Sequence, residues 1–380
     1  MTLFVGRFYE IAFISTEFMK KFILFTLLSF NSFAQTAESY RLKAAAHFEK
    51  GQYKEAIAAL TLALKINPKD VKAWQNRAIT YEKIAKFDLA VKDYLEVLKY
   101  DPSSGNKSGE TLGAIGFDYL VLEKYDESRK YLQQAITLLP TNINFRYNLG
   151  LSYQYEKNYA LAIGAYDEAL KVDPYHSSSL ISKTRCLLLL KQFDEASAIV
   201  DSFFLSKRFD IEMLLFRGDI KLHRGSTEEA LHDFTRAIAI HPEDLSLLNR
   251  AANCLQDLEY YDEEVAVRKR TITIMEKQGE TKEFLAISYG LLGLALNYAF
   301  AWEEALENFN TSISLDPSFR AATFYFYRSS VKAKLKDNEG ACEDLKKAQE
   351  LNPTEAENYE NYFADTAEFE EFYGYCFPGV

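Results

Sequence analysis

Apolar side chains recur at helical spacing along most of the chain, and prolines divide the pattern into equal lengths. Pro68 and Pro102 are 34 residues apart, and so are Pro140 and Pro174. Each follows an amphipathic stretch that it is expected to end, because proline lacks the backbone N–H and clashes with the preceding turn. The pattern therefore predicts a helical unit that repeats along the chain. Three later prolines keep the phase with small slips: Pro242, Pro317 and Pro353.

Small side chains occupy fixed positions inside each unit. In the second predicted helix, Ala56 follows the opening Tyr53 by three residues, and Ala90 follows Phe87 in the same way. Small residues that share one helix face let a partner helix approach closely. The two helices of each unit are therefore expected to pack as a hairpin. The first helix supplies small residues for the same contact: Ala44, Ala78, Gly116 and Gly150.

A 34-residue helix–turn–helix unit with these small, aromatic and proline positions resembles the tetratricopeptide repeat. The resemblance covers roughly residues 35–353 and implies an all-α fold, an α-solenoid wound as a right-handed superhelix of about nine hairpins. The units are predicted to begin near Ala37, Val71, Gly109, Ile143, Ser177, Ile211, Leu245, Ala286 and Ala322.

Two of these units depart from the pattern, at 177–208 and 245–276. The fifth ends on Arg208 in place of proline. The seventh has Glu276 there, and Glu264 where a small residue is expected, which predicts a loosely packed second helix. Insertions are predicted at Ser103–Ser108 and at Lys277–Leu285.

The N-terminal residues lie outside the repeats and have the pattern of an export signal. Lys20 and Lys21 precede the apolar run 22–30, and small residues then stand where a signal peptidase reads them. We expect a signal peptide at 19–34, cut between Ala34 and Gln35. Its apolar run is shorter than the roughly 20 residues that cross a bilayer, so the mature chain is expected to have no transmembrane span.

Both ends of the chain carry further predictions. Residues 1–18 contain two glutamates that suit a signal peptide badly, and we interpret them as an over-extended start, with an interfacial helix as the alternative. Residues 354–380 hold seven acidic residues and no lysine or arginine, among many aromatics. They are predicted to form a capping helix and tail, because a solenoid must cover its last apolar face.

Composition and motifs argue against several classes of function. A net charge of −11 without a basic stripe makes nucleic-acid binding unexpected. The five histidines show no zinc-ligand spacing, and no nucleophile elbow or phosphate-binding glycine loop occurs. We therefore expect no enzyme activity, catalytic residue, metal or cofactor. Cys186 and Cys254 are expected to be buried thiols, with Cys342 packed similarly. Cys376 lies in the tail, where it could be exposed, and the sequence does not decide whether it forms a disulfide.

The resemblance also implies where a partner would bind, because the family lines a concave groove with its first helices. The residues expected there in the third to fifth units are Phe117, Leu120, Val121, Tyr147, Leu151, Gln154, Tyr155, Ile181, Arg185, Leu188 and Leu189. A secondary, polar lining is expected in the seventh unit, where amides at one-turn spacing could bond a peptide backbone: Asn249, Asn253, Gln256 and Asp257.

These patterns favour an exported scaffold, periplasmic or secreted, that binds a protein or peptide in its groove. Two alternatives remain at this point. The chain could be a structural subunit of a cell-envelope assembly, docked through its convex face or its C-terminal tail. It could also be a cytoplasmic adaptor, if the signal is not cleaved. The oligomeric state and the partner are not specified by the sequence.

Overall fold

The computed structural model describes residues 36–102, 105–318, 321–352 and Cys376. Over these residues the chain forms eighteen α-helices and no strand. The helices are α1 Ala37–Glu49, α2 Tyr53–Ile66, α3 Val71–Lys83, α4 Phe87–Tyr100, α5 Asn106–Val121, α6 Tyr125–Leu138, α7 Ile143–Tyr155, α8 Tyr159–Val172, α9 Ser177–Leu189, α10 Phe193–Leu205, α11 Ile211–His223, α12 Thr227–Ile240, α13 Leu245–Asp257, α14 Tyr261–Gln278, α15 Lys282–Tyr298, α16 Trp302–Leu315, α17 Ala321–Lys334 and α18 Asn338–Leu351.

The chain divides into two compact halves, residues 1–192 and 193–380. In the N-terminal half, α1 packs on α2, α3 on α4, α5 on α6 and α7 on α8, and each second helix also contacts the next first helix, up to α9. In the C-terminal half, α10 packs on α11, and the hairpins α11–α12, α13–α14, α15–α16 and α17–α18 follow in the same way. Each half is thus a stack of helical hairpins, in agreement with the predicted fold class.

Local sequence explains where the helices begin and turn. Asp70 accepts a hydrogen bond from the Ala73 backbone N–H at 3.1 Å, which satisfies a donor that the first turn of α3 leaves free. The turn inside each hairpin contains a residue in the left-handed backbone conformation. This residue is Gly51 or Gly225 in two of the turns, but Glu123 or Lys157 in others. Glycine is therefore not required at this turn, and the repeat tolerates its absence at a modest conformational cost.

The small positions lie where the two helices of a hairpin touch. Ala56, Ala90 and Ala162 are fully buried, as predicted. At Gly150, an added Cβ would lie only 2.3 Å from Cε1 of Tyr166, so the hairpin α7–α8 closes to a distance that excludes any side chain there. The spacing of small residues in the sequence thus reports the helix–helix contact directly.

The seventh repeat has a buried ion pair where a small residue is expected. Glu264 and Arg268 are 1% and 4% exposed and form the pair, with 2.5 Å between Arg268 Nε and Glu264 Oε1. Burial raises the pKa of Glu264, and Arg268 opposes this effect without outweighing it. The predicted insertion at 277–285 is in part a longer helix, since α14 continues to Gln278 and ends on Gly279 in the left-handed conformation. The earlier insertion likewise contributes the first turn of α5.

The cysteines divide into two kinds. Cys186 and Cys254 are free and buried, as predicted. Cys342 and Cys376 form a disulfide, with 5.1 Å between their Cα atoms, and Cys376 is 3% exposed against Phe326. Cys376 is therefore not exposed, because the disulfide places it in the core of the last hairpin.

The predictions for both chain ends lie mostly outside the described residues. These are the over-extended start, the signal peptide with its Ala34–Gln35 cleavage site, and the capping helix and tail at 354–380, of which only Cys376 is described. Among the helices that are described, none combines the length and apolar character needed to cross a membrane.

Candidate functional site

The exposed face of α5, α7 and α9 carries the main predicted site, which we name the first-helix lining. These helices are neighbours in the N-terminal half, since α7 contacts both α5 and α9. Four large side chains on it remain well exposed: Phe117 and Val121 at 42%, Leu189 at 54% and Tyr155 at 57%. The other members of the predicted set are partly buried: Tyr147, Leu151, Gln154, Ile181, Arg185 and Leu188.

Leu120 is the exception in this set. It is only 5% exposed and does not belong to the lining. The helix α5 packs against α4, α6 and α7, which leave only a narrow stripe of its surface uncovered. Leu120 lies outside that stripe, on the covered surface of α5. Phe117 and Val121 are one turn apart and lie within the stripe.

Aromatic contacts hold the lining in place. The Tyr147 ring lies 5.9 Å from the Tyr166 ring and 5.6 Å from the ring of His176, measured between centroids. Burial lowers the pKa of His176, which keeps that ring neutral at neutral pH. Tyr155 stacks on Tyr125 at 6.2 Å while one of its faces stays accessible. The aromatic side chains of the lining are thus held in place by ring contacts within the protein.

Gln154 is held from behind by two buried donors. The Tyr166 hydroxyl donates to Gln154 Oε1 at 2.6 Å, and the Cys186 thiol lies 3.6 Å from the same oxygen as a weak donor. Tyr166 and Cys186 are both fully buried. Burial raises the pKa of Cys186 to about 11, so the sulfur keeps its proton. We call Gln154, Tyr166 and Cys186 the amide junction.

The same three positions two repeats earlier are occupied by different side chains. The Tyr94 hydroxyl donates to Glu82 Oε1 at 2.9 Å, and Asp118 takes the place that Cys186 has in the amide junction. Asp118 is completely buried, and neither of its carboxylate oxygens finds a donor among the described residues. Burial, and then the charge of Glu82, raises the pKa of Asp118 to about 8. We call Glu82, Tyr94 and Asp118 the acid junction.

The secondary polar lining lies on α13 in the C-terminal half. Asn249, Asn253 and Asp257 are exposed and Gln256 is partly buried. Arg268 approaches two of them from beneath, with Nη2 at 3.5 Å from Asn253 Oδ1 and 3.4 Å from Gln256 Oε1. The amide oxygens are therefore turned inward, as at Gln154, although these contacts are longer.

Titratable side chains also lie outside the lining, among the described residues. No group of three or more histidine, cysteine, aspartate or glutamate side chains there could hold a metal ion. The most perturbed carboxyl group, Asp118, is enclosed rather than placed in a cleft. Sequence reasoning missed both junctions, although one signal was available: a polar residue followed by tyrosine twelve positions later, at Glu82 and Tyr94 and again at Gln154 and Tyr166.

Comparison with family models identifies tetratricopeptide repeats in the chain. A model described as TPR repeat matches residues 44–84, and models described as tetratricopeptide repeat match residues 71–104, 144–176 and 322–355. These segments include α3, α7 and α17, so the matches fall in both halves of the molecule. The chain therefore contains tetratricopeptide repeats.

Two related proteins resemble the chain at low sequence identity. DnaJ homolog subfamily C member 7 of Mus musculus is 23% identical over 348 residues, which cover 88% of this chain and 65% of the relative. Hsp70-Hsp90 organizing protein 3 of Arabidopsis thaliana is 33% identical over 109 residues, 29% of this chain and 19% of the relative. The chain thus spans less than two thirds of the length of these relatives.

Solved structures of helical-repeat proteins are similar to parts of the chain. The pilF protein of Pseudomonas aeruginosa is 20% identical with a TM-score of 0.46, and the match covers 57% of this chain and 97% of that protein. PilW, a type IV pilus biogenesis factor, is 21% identical with a TM-score of 0.46, covering 58% and 98%.

Proposed function

We propose that the chain is an exported, non-enzymatic scaffold that binds a segment of a partner protein on the first-helix lining of α5, α7 and α9. The observation that carries the proposal is the run of Phe117, Val121, Tyr155 and Leu189, each about half exposed on the first helices of three consecutive hairpins. Soluble surfaces seldom leave such a run uncovered unless it binds something. Aromatic and aliphatic anchors of this kind dominate the energy of protein interfaces.

The chemistry of the lining indicates what it would hold. Arg185 is its one charged member, so apolar side chains of the partner would supply most of the contact. Tyr155 is already stacked on Tyr125 and would lose little side-chain entropy on binding. The name of one relative, Hsp70-Hsp90 organizing protein 3, agrees with a protein-binding role for repeats of this type.

A peptide-display selection tests this proposal. Random 16-residue peptides would be selected on residues 35–380, and the recovered peptide measured by fluorescence anisotropy against variants. Alanine at Tyr155 and at Leu189 is expected to weaken binding at least tenfold each, because each removes a large apolar contact. The matched control is Leu161→Ala on α8, since Leu161 is 51% exposed but lies on a second helix. An equal loss of affinity in the control, or unchanged affinity in both lining variants, would contradict the proposal.

Export has independent support from the disulfide. A bond between Cys342 and Cys376 suits an oxidising compartment, because such bonds are rare in the cytosol. Expression with the native N-terminus in a Gram-negative host should give a periplasmic chain that starts at Gln35. After denaturation without reductant, only Cys186 and Cys254 should alkylate. A chain that starts at Met1 or Met19 with four reactive thiols would contradict export and favour a cytoplasmic adaptor.

A structural role in a larger envelope assembly is the second candidate. The second helices of the N-terminal half also expose apolar side chains, among them Leu62 at 41%, Leu138 at 43% and Leu161 at 51%. These could dock the stack against another subunit and leave the first-helix lining free. Leu161→Ala separates the two roles, since it should disturb assembly in the envelope while peptide binding to the lining stays intact.

A further inference from the structure

An aromatic surface lies on the turns of the seventh and eighth hairpins, in the C-terminal half. The turn before α14 carries Tyr260, which is 44% exposed, and the turn between α15 and α16 carries Phe300, which is 76% exposed. The two turns adjoin, because the ring of Tyr261 in α14 stacks on that of Tyr298 in α15, with 5.2 Å between the ring centroids. Two well-exposed rings thus lie beside a stacked pair, and we call these four residues the turn edge.

Phe300 occupies a backbone position that phenylalanine does not favour. Its φ is +60°, in the left-handed region where the Cβ of a bulky residue is crowded by the backbone. The same turn in the other hairpins has glycine, alanine, glutamate or lysine, as at Gly225, Ala85 and Glu259. Within the protein, the Phe300 ring meets Trp302 edge-on at 6.3 Å and stays three-quarters exposed, so packing returns little free energy. A strained and exposed aromatic residue points to a contact outside the chain.

The turn edge also carries an excess of negative charge. Four exposed carboxylates come from the same two turns: Glu259, Asp262, Glu263 and Glu303. None of them forms an ion pair among the described residues. Burial, and then the charge of Glu259, raises the pKa of Tyr261, which indicates that this carboxylate lies near the ring stack. Lys334 supplies one positive charge, with its Nζ 5.7 Å from the ring centroid of Trp302.

We propose that the turn edge binds an arginine-rich segment of a partner protein, as a docking surface separate from the first-helix lining. A guanidinium can stack on an open aromatic face and pair with a carboxylate at the same time, whereas an ammonium is a compact, strongly hydrated charge. Tyr260 and Phe300 supply the open faces, and the four carboxylates supply the complementary charge. An anionic membrane surface fits the turn edge less well, because its headgroups would repel these carboxylates.

Labelled peptides test this proposal by fluorescence anisotropy on residues 35–380 at low salt. A peptide of alternating arginine and serine is expected to bind, its lysine counterpart more weakly, and its glutamate counterpart not at all. Phe300→Gly should weaken the arginine peptide about fivefold, which corresponds to one exposed cation–π contact. The thermal midpoint of this variant should stay level or rise, because glycine adopts a positive φ without strain.

Each variant has a matched control in the N-terminal half. Ala85→Gly makes the same backbone change in the second hairpin, where φ is +55°, and should leave the affinity unchanged. Glu259→Gln removes one carboxylate of the turn edge and should weaken the arginine peptide about threefold. Glu123→Gln makes the same charge change at the same turn position of the third hairpin and should have no effect.

Four outcomes would overturn the inference. Unchanged affinity in Phe300→Gly, or an equal loss in Ala85→Gly, removes the aromatic contact. A lowered thermal midpoint in Phe300→Gly would mean that the ring stabilises its own hairpin. Equal binding of the arginine and glutamate peptides would remove the charge complementarity. Vesicles of phosphatidylglycerol that bind through Phe300, when the arginine peptide does not bind, would make the turn edge a membrane anchor.

Discussion

The acid junction and the amide junction are the same piece of architecture built from different side chains. In each, a tyrosine from the second helix donates to a polar residue near the end of the first helix, at 2.9 Å to Glu82 and at 2.6 Å to Gln154. In each, the next first helix adds a third group, Asp118 or Cys186. The amide junction is neutral and its acceptor is satisfied by two donors. The acid junction places two carboxyl groups together, and its one hydroxyl donates to Glu82 alone.

The difference shows that one scaffold can hold either a neutral amide or a buried acid that must keep a proton. A carboxyl group without a donor is stable in the interior only when protonated, and a protonated Asp118 can itself donate to Glu82. Burial also raises the pKa of Glu82, which its hydrogen bond from Tyr94 and the charge of Lys83 only partly oppose. The acid junction should therefore respond to pH, and the amide junction should not.

The largest expected difference between the two junctions is the effect of a packing change on the free energy of unfolding. In Gly150→Ala the new Cβ would lie 2.3 Å from the ring of Tyr166, so the ring must move and the amide junction is disrupted. We expect a loss of about 3 kcal/mol in the free energy of unfolding, at the upper end for overpacked cores. Native-state hydrogen exchange in α7 and α8 measures it, because a repeat array opens locally.

The acid junction supplies the control for this change, since Ala78 already stands at the position of Gly150 beside Tyr94. Ala78→Gly should cost only about 1 kcal/mol, the ordinary helix cost of glycine. A loss below 1 kcal/mol in Gly150→Ala would mean that the two hairpins close to the same distance, contrary to the structure.

The pH response of the acid junction comes next in size. Asp118 has a folded pKa of about 8 against an ordinary 3.8, so the folded state binds a proton that the unfolded state has released. Stability is therefore lost as pH rises from about 4 to about 8 and is level above that range. Between pH 6 and 8 the loss is about 2 kcal/mol at 1.36 kcal/mol for each full pKa unit. Hydrogen exchange in α3, α4 and α5 should show it.

Two variants sharpen this expectation. Asp118→Asn mimics the protonated acid and should abolish the slope, making the wild type the less stable of the two at pH 8. Glu82→Gln removes the neighbouring charge and should reduce the slope only in part, because burial is the larger cause of the raised pKa of Asp118. A slope that survives Asp118→Asn would assign the response to another group.

Removal of the two tyrosine hydroxyls is expected to give the smallest difference in stability between the junctions. Tyr94→Phe removes a hydrogen bond to a carboxylate, and Tyr166→Phe removes one to an amide. We expect losses of about 1.5 and about 1 kcal/mol, because charge-assisted hydrogen bonds contribute more. The difference should grow as the pH rises and Glu82 becomes fully charged. Equal losses at pH 8 would indicate that Glu82 is neutral.

The sequence predicted the fold well because its signals are local and periodic. Proline, small residues and an opening aromatic each report a contact inside one hairpin, and Ala56 and Ala90 are buried where the spacing indicated. The lining was harder to predict, because exposure depends on neighbouring repeats. Leu120 fits the helical pattern of Phe117 and Val121 but is covered by adjacent helices.

Features that depend on a specific pair or group of side chains were not predicted from the repeat pattern. The disulfide links Cys342 to a residue 34 positions later, beyond the last repeat, where no periodicity gives the register. Glu264 departs from the small-residue pattern, which does not show that its side chain is buried in an ion pair with Arg268, one turn along the same helix. The junctions combine three helices, so a single-repeat pattern reveals only the Glu82–Tyr94 and Gln154–Tyr166 halves of them.

Methyl-labelled NMR with the selected peptide tests most directly whether the first-helix lining is the binding surface. The account predicts that the methyl resonances of Val121 and Leu189 shift at saturation, while those of Leu138 and Leu161, equally exposed on second helices, stay unchanged. Shifts centred on Leu138 and Leu161, with Val121 and Leu189 silent, would place the partner on the opposite face and contradict the account.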